Sequence, residues 1–292
     1  MNVGMGSKIN PSERAGGATR RGPRSRSAKG AGATMATAQA ESLRPPSRLL
    51  FALEFRALPE LGGFLASLPL LTALTPRGDG HPVLVLPGLV TSDRSTIALR
   101  NFLRSRGYDA HGWELGRNYG PLPGIERGMI EKVEQLCERH GRKVSLVGWS
   151  LGGIYARQLA KMLPDKVRLV ITLGSPFAGD PRATNAWKLY EMTSGHKVDD
   201  RERHMGGKIS DPPPVPTTAI YSRTDGICHW RSCLEQEAPF AENIEVEGSH
   251  CGLGHHPAAV YAIADRLAQP EGRWKKFERG GAKAMFFPDP KR

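Results

Sequence analysis

The segment Gly148-Trp149-Ser150-Leu151-Gly152-Gly153 stands between an apolar run, Val144-Ser145-Leu146-Val147, and a stretch ending at Met162 in which Tyr155, Leu159 and Met162 recur at helical spacing. A strand that turns sharply into a helix leaves no room for side chains two residues either side of the apex, and Gly148 and Gly152 meet that demand. Such a turn commits the chain to a sheet with helices packed on it. In a chain with 34 glycines the bare spacing is weak. The strand-turn-helix context gives it weight, against the alternative that Ser150 merely caps a helix.

The rest of the chain repeats the alternation. Strands are expected at Val83–Leu86, Ala110–Trp113, Val144–Trp149, Val167–Leu173, Thr217–Ser222 and Asn243–Val246. Helices are expected from Asp93, as a cap, to Arg104, at Ile125–His140, at Ile154–Met162 and at Pro257–Leu267. The expected fold class is α/β: a mostly parallel sheet of about six strands with helices on both faces. After Gly174-Ser175-Pro176 the pattern dissolves until Pro216, with one short helical candidate at Ala186–Met192; long irregular insertions of this kind often act as lids. The organisation expected is a disordered basic tail at 1–47, an N-terminal helical segment at 48–80, a main domain at 81–270 with a lid-like insertion at 177–216, and a C-terminal tail at 271–292.

The net charge of +12 suggests nucleic acid only until it is located. Met1–Ser47 holds eight Lys or Arg against two acidic residues, in a stretch too poor in large apolar side chains to offset ordering entropy. It lacks the interleaved aromatics of a single-strand binder, so no specific nucleic-acid partner is expected, only weak contact with acidic surfaces. No apolar signal region follows the early arginines, which favours a cytoplasmic or peripherally membrane-associated location. Leu49–Leu74 is apolar but interrupted by Glu54, Arg56, Pro59, Glu60 and Pro69, and reads as short amphipathic helices on the domain or on a lipid interface rather than a transmembrane segment. Cys137, Cys228, Cys233 and Cys251 show no metal-ligand spacing, so no metal site is expected; a bridge from Cys251 to Cys228 or Cys233 and buried free thiols are both open.

A serine is a poor nucleophile unless a base lies within reach and a carboxylate orients that base. The carboxyl ends of parallel strands share one rim, so residues just after the later strands can converge on Ser150. Asp225 follows the fifth expected strand and His250 the sixth, giving the order serine, acid, histidine. His255 and His256 compete with His250, which is favoured by its Gly248-Ser249-His250 loop directly after a strand; His196, His204, Asp199, Asp200 and Asp211 fall in the insertion, and Asp180 follows an earlier strand. The amides of Leu89, after Pro87-Gly88, and Leu151 are the candidate oxyanion donors. No cofactor is called for.

With Val83-Leu84-Val85-Leu86-Pro87-Gly88, the Gly148–Gly153 turn, Leu173-Gly174-Ser175-Pro176, Asp225 and Gly248-Ser249-His250, the chain resembles the α/β-hydrolase superfamily over about Val83–Leu267, in its compact group of bacterial lipases and lecithin-cholesterol acyltransferase-like proteins. The resemblance implies Ser150 as nucleophile, His250 as base, Asp225 as orienting acid, Leu89 and Leu151 as oxyanion donors, and a cap at the insertion. It implies cofactor-independent cleavage of a carboxylic ester, acyl or lipid-like, through an acyl-enzyme, with activity lost as acid protonates His250. Many bacterial lipases carry His-Gly where this chain has Pro87-Gly88, whereas the acyltransferase-like proteins carry Pro-Gly. Acyl transfer or thioester hydrolysis is therefore a second expectation, and a catalytically silent binding protein a third.

Overall fold

A computed structural model of the chain describes residues 43–203 and 207–290. Most of the Met1–Ser47 stretch, together with His204, lies outside the described residues. Helix α1 (Arg48–Ala52) runs through a 3₁₀ turn (Leu53–Arg56) into α2 (Ala57–Leu74). Strand β1 (Pro82–Leu86), α3 (Ile97–Ser105), β2 (Asp109–Gly112), α4 (Ile125–His140), β3 (Val144–Trp149), α5 (Leu151–Met162) and β4 (Val167–Leu173) follow. The insertion carries α6 (Trp187–Ser194) and a 3₁₀ turn (Val198–Arg203), and β5 (Thr217–Tyr221), β6 (Ala241–Glu245) and α7 (Pro257–Leu267) complete the domain.

All six strands pair in parallel in the order β2-β1-β3-β4-β5-β6. The order reverses between β1 and β3, which is where an open parallel sheet leaves a crevice at its carboxyl rim. Register aligns the rim: Leu86 faces Gly148, and Trp149 faces Leu173. Because successive strand residues point to opposite faces, Val83, Val85, Val147 and Ile171 join α2, α3 and α7 in one core, while Leu84, Leu86, Leu146 and Val170 join α4 and α5 in the other. Both faces are covered, as a parallel sheet requires.

Two local expectations change. Asp93 does not cap α3, which begins at Ile97; its carboxylate accepts the Trp113 and Glu114 amides, each at 3.0 Å, and so closes the end of β2. The apolar N-terminal run is not a set of short helices but 27 continuous helical residues, Arg48–Leu74, carried through Pro59 and Pro69 and by length and composition long and apolar enough to cross a membrane. The insertion is anchored: Phe177, Tyr190, Val198 and Ile209 bury in the second core, and Arg157 of α5 pairs with buried Glu235 and reaches the Ser210 and Asp211 carbonyls. The C-terminal stretch is held as well, with Phe287 buried against Tyr261 and Phe277.

Candidate active site

Ser150 sits at φ 54° and ψ −119°, between the last residue of β3 and the first of α5. A non-glycine residue held in this region costs on the order of 1–3 kcal/mol and persists only where its surroundings dictate it. The surroundings do so through backbone contact: a Cβ on Gly148 would meet the Gly152 carbonyl at 2.3 Å, and one on Gly152 would meet the Leu86 carbonyl at 2.3 Å. Gly153 is equally confined, since a Cβ there would lie 2.0 Å from Ser175 Oγ, a requirement the sequence pattern does not reveal. The Ser150 amide donates to the Leu173 carbonyl at 2.8 Å, fixing the apex to the next strand.

Asp225 and His250 come together. His250 Nδ1 donates to Asp225 Oδ2 at 2.6 Å, and Asp225 Oδ1 accepts the Ile227 and Cys228 amides at 2.8 and 2.7 Å. Both side chains are almost fully buried. Burial disfavours the charged imidazole, but the adjacent Asp225 carboxylate and the Cys228 thiol outweigh it, and the His250 pKa lies well above the ordinary 6.5. The rivals go elsewhere: His255 Nε2 meets the Ala57 carbonyl at 3.0 Å, His256 precedes α7, Asp180 accepts the Arg182 amide, and Asp199 pairs with Arg182.

The serine and the pair share one rim. Trp149 Nε1–H donates to the His250 carbonyl at 3.0 Å, and Gly174, next to the acceptor of the Ser150 amide, lies so close that a Cβ would stand 2.9 Å from His250 Nδ1 and 3.0 Å from Asp225 Oδ2. Among the described residues no hydrogen bond joins Ser150 Oγ to the imidazole. The amides of Leu89 and Leu151 likewise have no hydrogen-bond partner there, and both residues line a cavity of about 40 Å³ with Ser150, Tyr190 and Cys228. That volume holds a few waters and no acyl chain.

Sequence reasoning missed two carboxylates and a thiol that contribute. Glu54, 9% exposed, accepts the amides of Gly226 at 2.7 Å and His250 at 2.9 Å on Oε1, and that of Cys251 at 2.8 Å on Oε2. Glu60 accepts the Ser249 amide at 2.9 Å and its hydroxyl, and Arg56 donates to the Thr224 carbonyl. One helical segment thus holds the loops of both Asp225 and His250. Cys228 is the third: its sulfur, the Asp225 carboxylate and the His250 ring lie within 4.8 Å of one another, a donor set a cation could use, but the His250–Asp225 hydrogen bond already occupies one atom of each partner. All four cysteines are free thiols, and burial pushes the Cys228 thiol well up. The only sequence signal for Glu54 and Glu60 is a pair of acids in an apolar helix.

A parallel six-stranded sheet with a strained serine at the turn after its third strand defines an α/β-hydrolase-fold protein. A family model described as the PGAP1-like alpha/beta domain matches residues 127–210. Serine hydrolase BPHL of Mus musculus is 29% identical over 109 residues, which are 34% of this chain and 37% of that protein, so the chain spans little more than a third of that relative. Among solved structures, Aspergillus fumigatus lipase B superposes with a TM-score of 0.50 at 19% identity, covering 69% of this chain and 56% of that one, a likeness of fold. These matches are to α/β-hydrolase-fold proteins, a serine hydrolase and a lipase among them, and agree with the fold assigned from the sheet and the turn.

Proposed function

We propose that the protein is a serine hydrolase that cleaves carboxylic esters through an acyl-enzyme. The observation that carries this reading is the strained Ser150 apex on the rim shared with the His250–Asp225 pair. In this mechanism Ser150 Oγ attacks the ester carbonyl carbon as His250 Nε2 takes its proton, and the Leu89 and Leu151 amides donate to the oxyanion. Collapse expels the alcohol, which receives the proton from His250; water, deprotonated by the same ring, then releases the acid. Asp225 holds the ring through Nδ1 and balances its charge. An acyl chain larger than this cavity enters only if Trp187, Tyr190 and Val198 of the insertion, which line it around Ser150, give way as a lid does.

Two further observations support an acyl or lipid-borne ester. The cavity is lined mainly by apolar side chains, Leu89, Leu151, Ile154, Trp187 and Val198 among them, and Phe55, Leu58, Leu65 and Leu70 stand more than half exposed along Arg48–Leu74. That face follows directly on the basic Met1–Ser47 stretch, so an anionic lipid surface is the occupant its charge favours. Spanning is disfavoured because Glu54, Arg56 and Glu60 of the same helix are tied to the loops of the site.

A catalytically silent binding protein is the second reading, favoured by the missing Ser150–imidazole bond; in ligand-free sites such bonds are often loose and tighten only with substrate. A fluorophosphonate probe decides. The native chain is expected to label at Ser150 and to turn over p-nitrophenyl esters, with both lost in Ser150→Ala; an unlabelled native chain would make the fold a scaffold. A trapped acyl-enzyme released faster by added alcohols than by water would instead indicate acyl transfer.

A further inference from the structure

Away from Ser150, Asp109 and His111 point the same way from β2, two residues apart, and His140 closes the last turn of α4 above them. His111 Nε2 stands 2.8 Å and His140 Nε2 stands 2.9 Å from the same oxygen, Asp109 Oδ2. Distance alone would make these ion pairs, but both Nε2 atoms are shielded from water and neither has a hydrogen-bond partner. The in-plane direction in which an imidazole nitrogen donates a proton is also the direction of its lone pair when it ligates. The two nitrogens and a carboxylate oxygen of Asp109 lie within 4.8 Å of one another, close enough to share one ion.

We infer that Asp109, His111 and His140 form a binding site for a divalent first-row transition metal of the zinc type. Two imidazole nitrogens and one carboxylate oxygen suit Zn²⁺ and discriminate against Mg²⁺ and Ca²⁺, which prefer all-oxygen shells. Asp109 is 43% exposed, so ions have a path in and water can complete a tetrahedron. The site staples β2, at the edge of the sheet and paired only with β1, to the end of α4. Because it lies in different elements from Ser150, Asp225 and His250, metal here would act on stability rather than on ester cleavage.

The test is calorimetric titration of the chelator-stripped full-length chain with Zn²⁺, alongside thermal melting. One equivalent is expected to bind with a micromolar or tighter Kd, raising the melting temperature, with no response to Mg²⁺ or Ca²⁺. His140→Ala, and separately Asp109→Asn should the first variant fold poorly, are expected to weaken binding at least about tenfold, since even the partners that merely orient metal ligands are worth that much. Absence of heat in the native chain would overturn the site. So would binding that persists in both variants and disappears in Cys228→Ala, because the ion would then sit at the Asp225–Cys228–His250 cluster. Labelling of Ser150 is a separate readout, so failure of the hydrolase reading leaves this result untouched.

Discussion

Trp149 Nε1–H donates to the backbone carbonyl of His250 at 3.0 Å, joining the residue before the serine to the residue expected to act as its base. The bond is buried and spans 101 residues of sequence. It fixes the His250 loop relative to the β3–α5 turn. Trp149→Phe keeps a ring in the core and removes the donor. A buried hydrogen bond contributes about 1 kcal/mol net, so kcat/KM for a soluble ester is expected to fall about three- to tenfold. Unchanged kinetics would mean the loop is held by other contacts.

The Asp225 carboxylate and the Cys228 thiol hold His250 above its ordinary pKa against the effect of burial. A general base must be neutral, so kcat/KM should rise with pH through an inflection above 6.5, and activity should vanish in acid. Linkage has the opposite sense for stability: with the folded pKa above the unfolded one, the contribution of this pair is complete below about pH 6.5 and is lost as pH climbs through the folded value. Asp225→Asn should lower the inflection and reduce kcat on the order of 10⁴-fold. A pH–rate profile with its inflection below 6.5 in the native chain would contradict the coupling.

Glu54 gathers three loop amides, of Gly226, His250 and Cys251. Glu54→Ala leaves them buried without an acceptor, at about 1–3 kcal/mol each before relaxation. The variant is expected to melt lower, and well below its own midpoint to lose at least about tenfold in kcat with KM held within about twofold, as displacement of His250 by a fraction of an ångström would do. Glu54→Gln, which retains one acceptor oxygen, should fall between. Full turnover in a merely less stable Glu54→Ala protein would reduce Glu54 to a staple of the fold.

The lipid face can be separated from the chemistry. Phe55 and Leu58 are 82% and 72% exposed and are not among the proposed reacting groups. The double variant Phe55→Ser/Leu58→Ser should bind phosphatidylserine-containing vesicles at least about tenfold more weakly in flotation assays, since each buried methylene contributes about 0.8 kcal/mol. Turnover of a short soluble ester should not change. Equal binding by both proteins would place the contact elsewhere, and a dimer dissolved by the substitutions would make the face a self-association surface.

At the other end of the sheet, His81 is fully enclosed, with Asp79 on Nδ1 and Ser145 Oγ at 2.8 Å from Nε2. Burial, opposed by Asp79, lowers its pKa to about 4. Here the unfolded chain takes up the proton first, so stability should decline as pH falls from about 6.5 toward 4, by at most ~3 kcal/mol from this group. Melting temperature against pH should be flatter over that window in His81→Gln; an identical slope would remove His81 from the acid response.

Which features were legible in the sequence follows from their range. The Gly148–Gly152 turn, the apolar strand runs and Pro257 at the start of α7 act within a few residues, through backbone sterics and side-chain periodicity, so the strand-turn-helix and the succession of six strands along the chain could be read directly, but not their order in the sheet. The parallel alternation even indicated the rim on which Asp225 and His250 would meet, because the geometry of βαβ units sends all carboxyl ends the same way. Asp93 read as a helix cap by local rule, yet its oxygens went to the amides of Trp113 and Glu114, about twenty residues away. Glu54 and Glu60 read as interruptions in an apolar helix, whereas they accept amides more than 170 residues on. Short-range sterics determine the elements and their sequence; which buried amide a carboxylate satisfies depends on distances that exist only once the sheet has closed and water has been expelled.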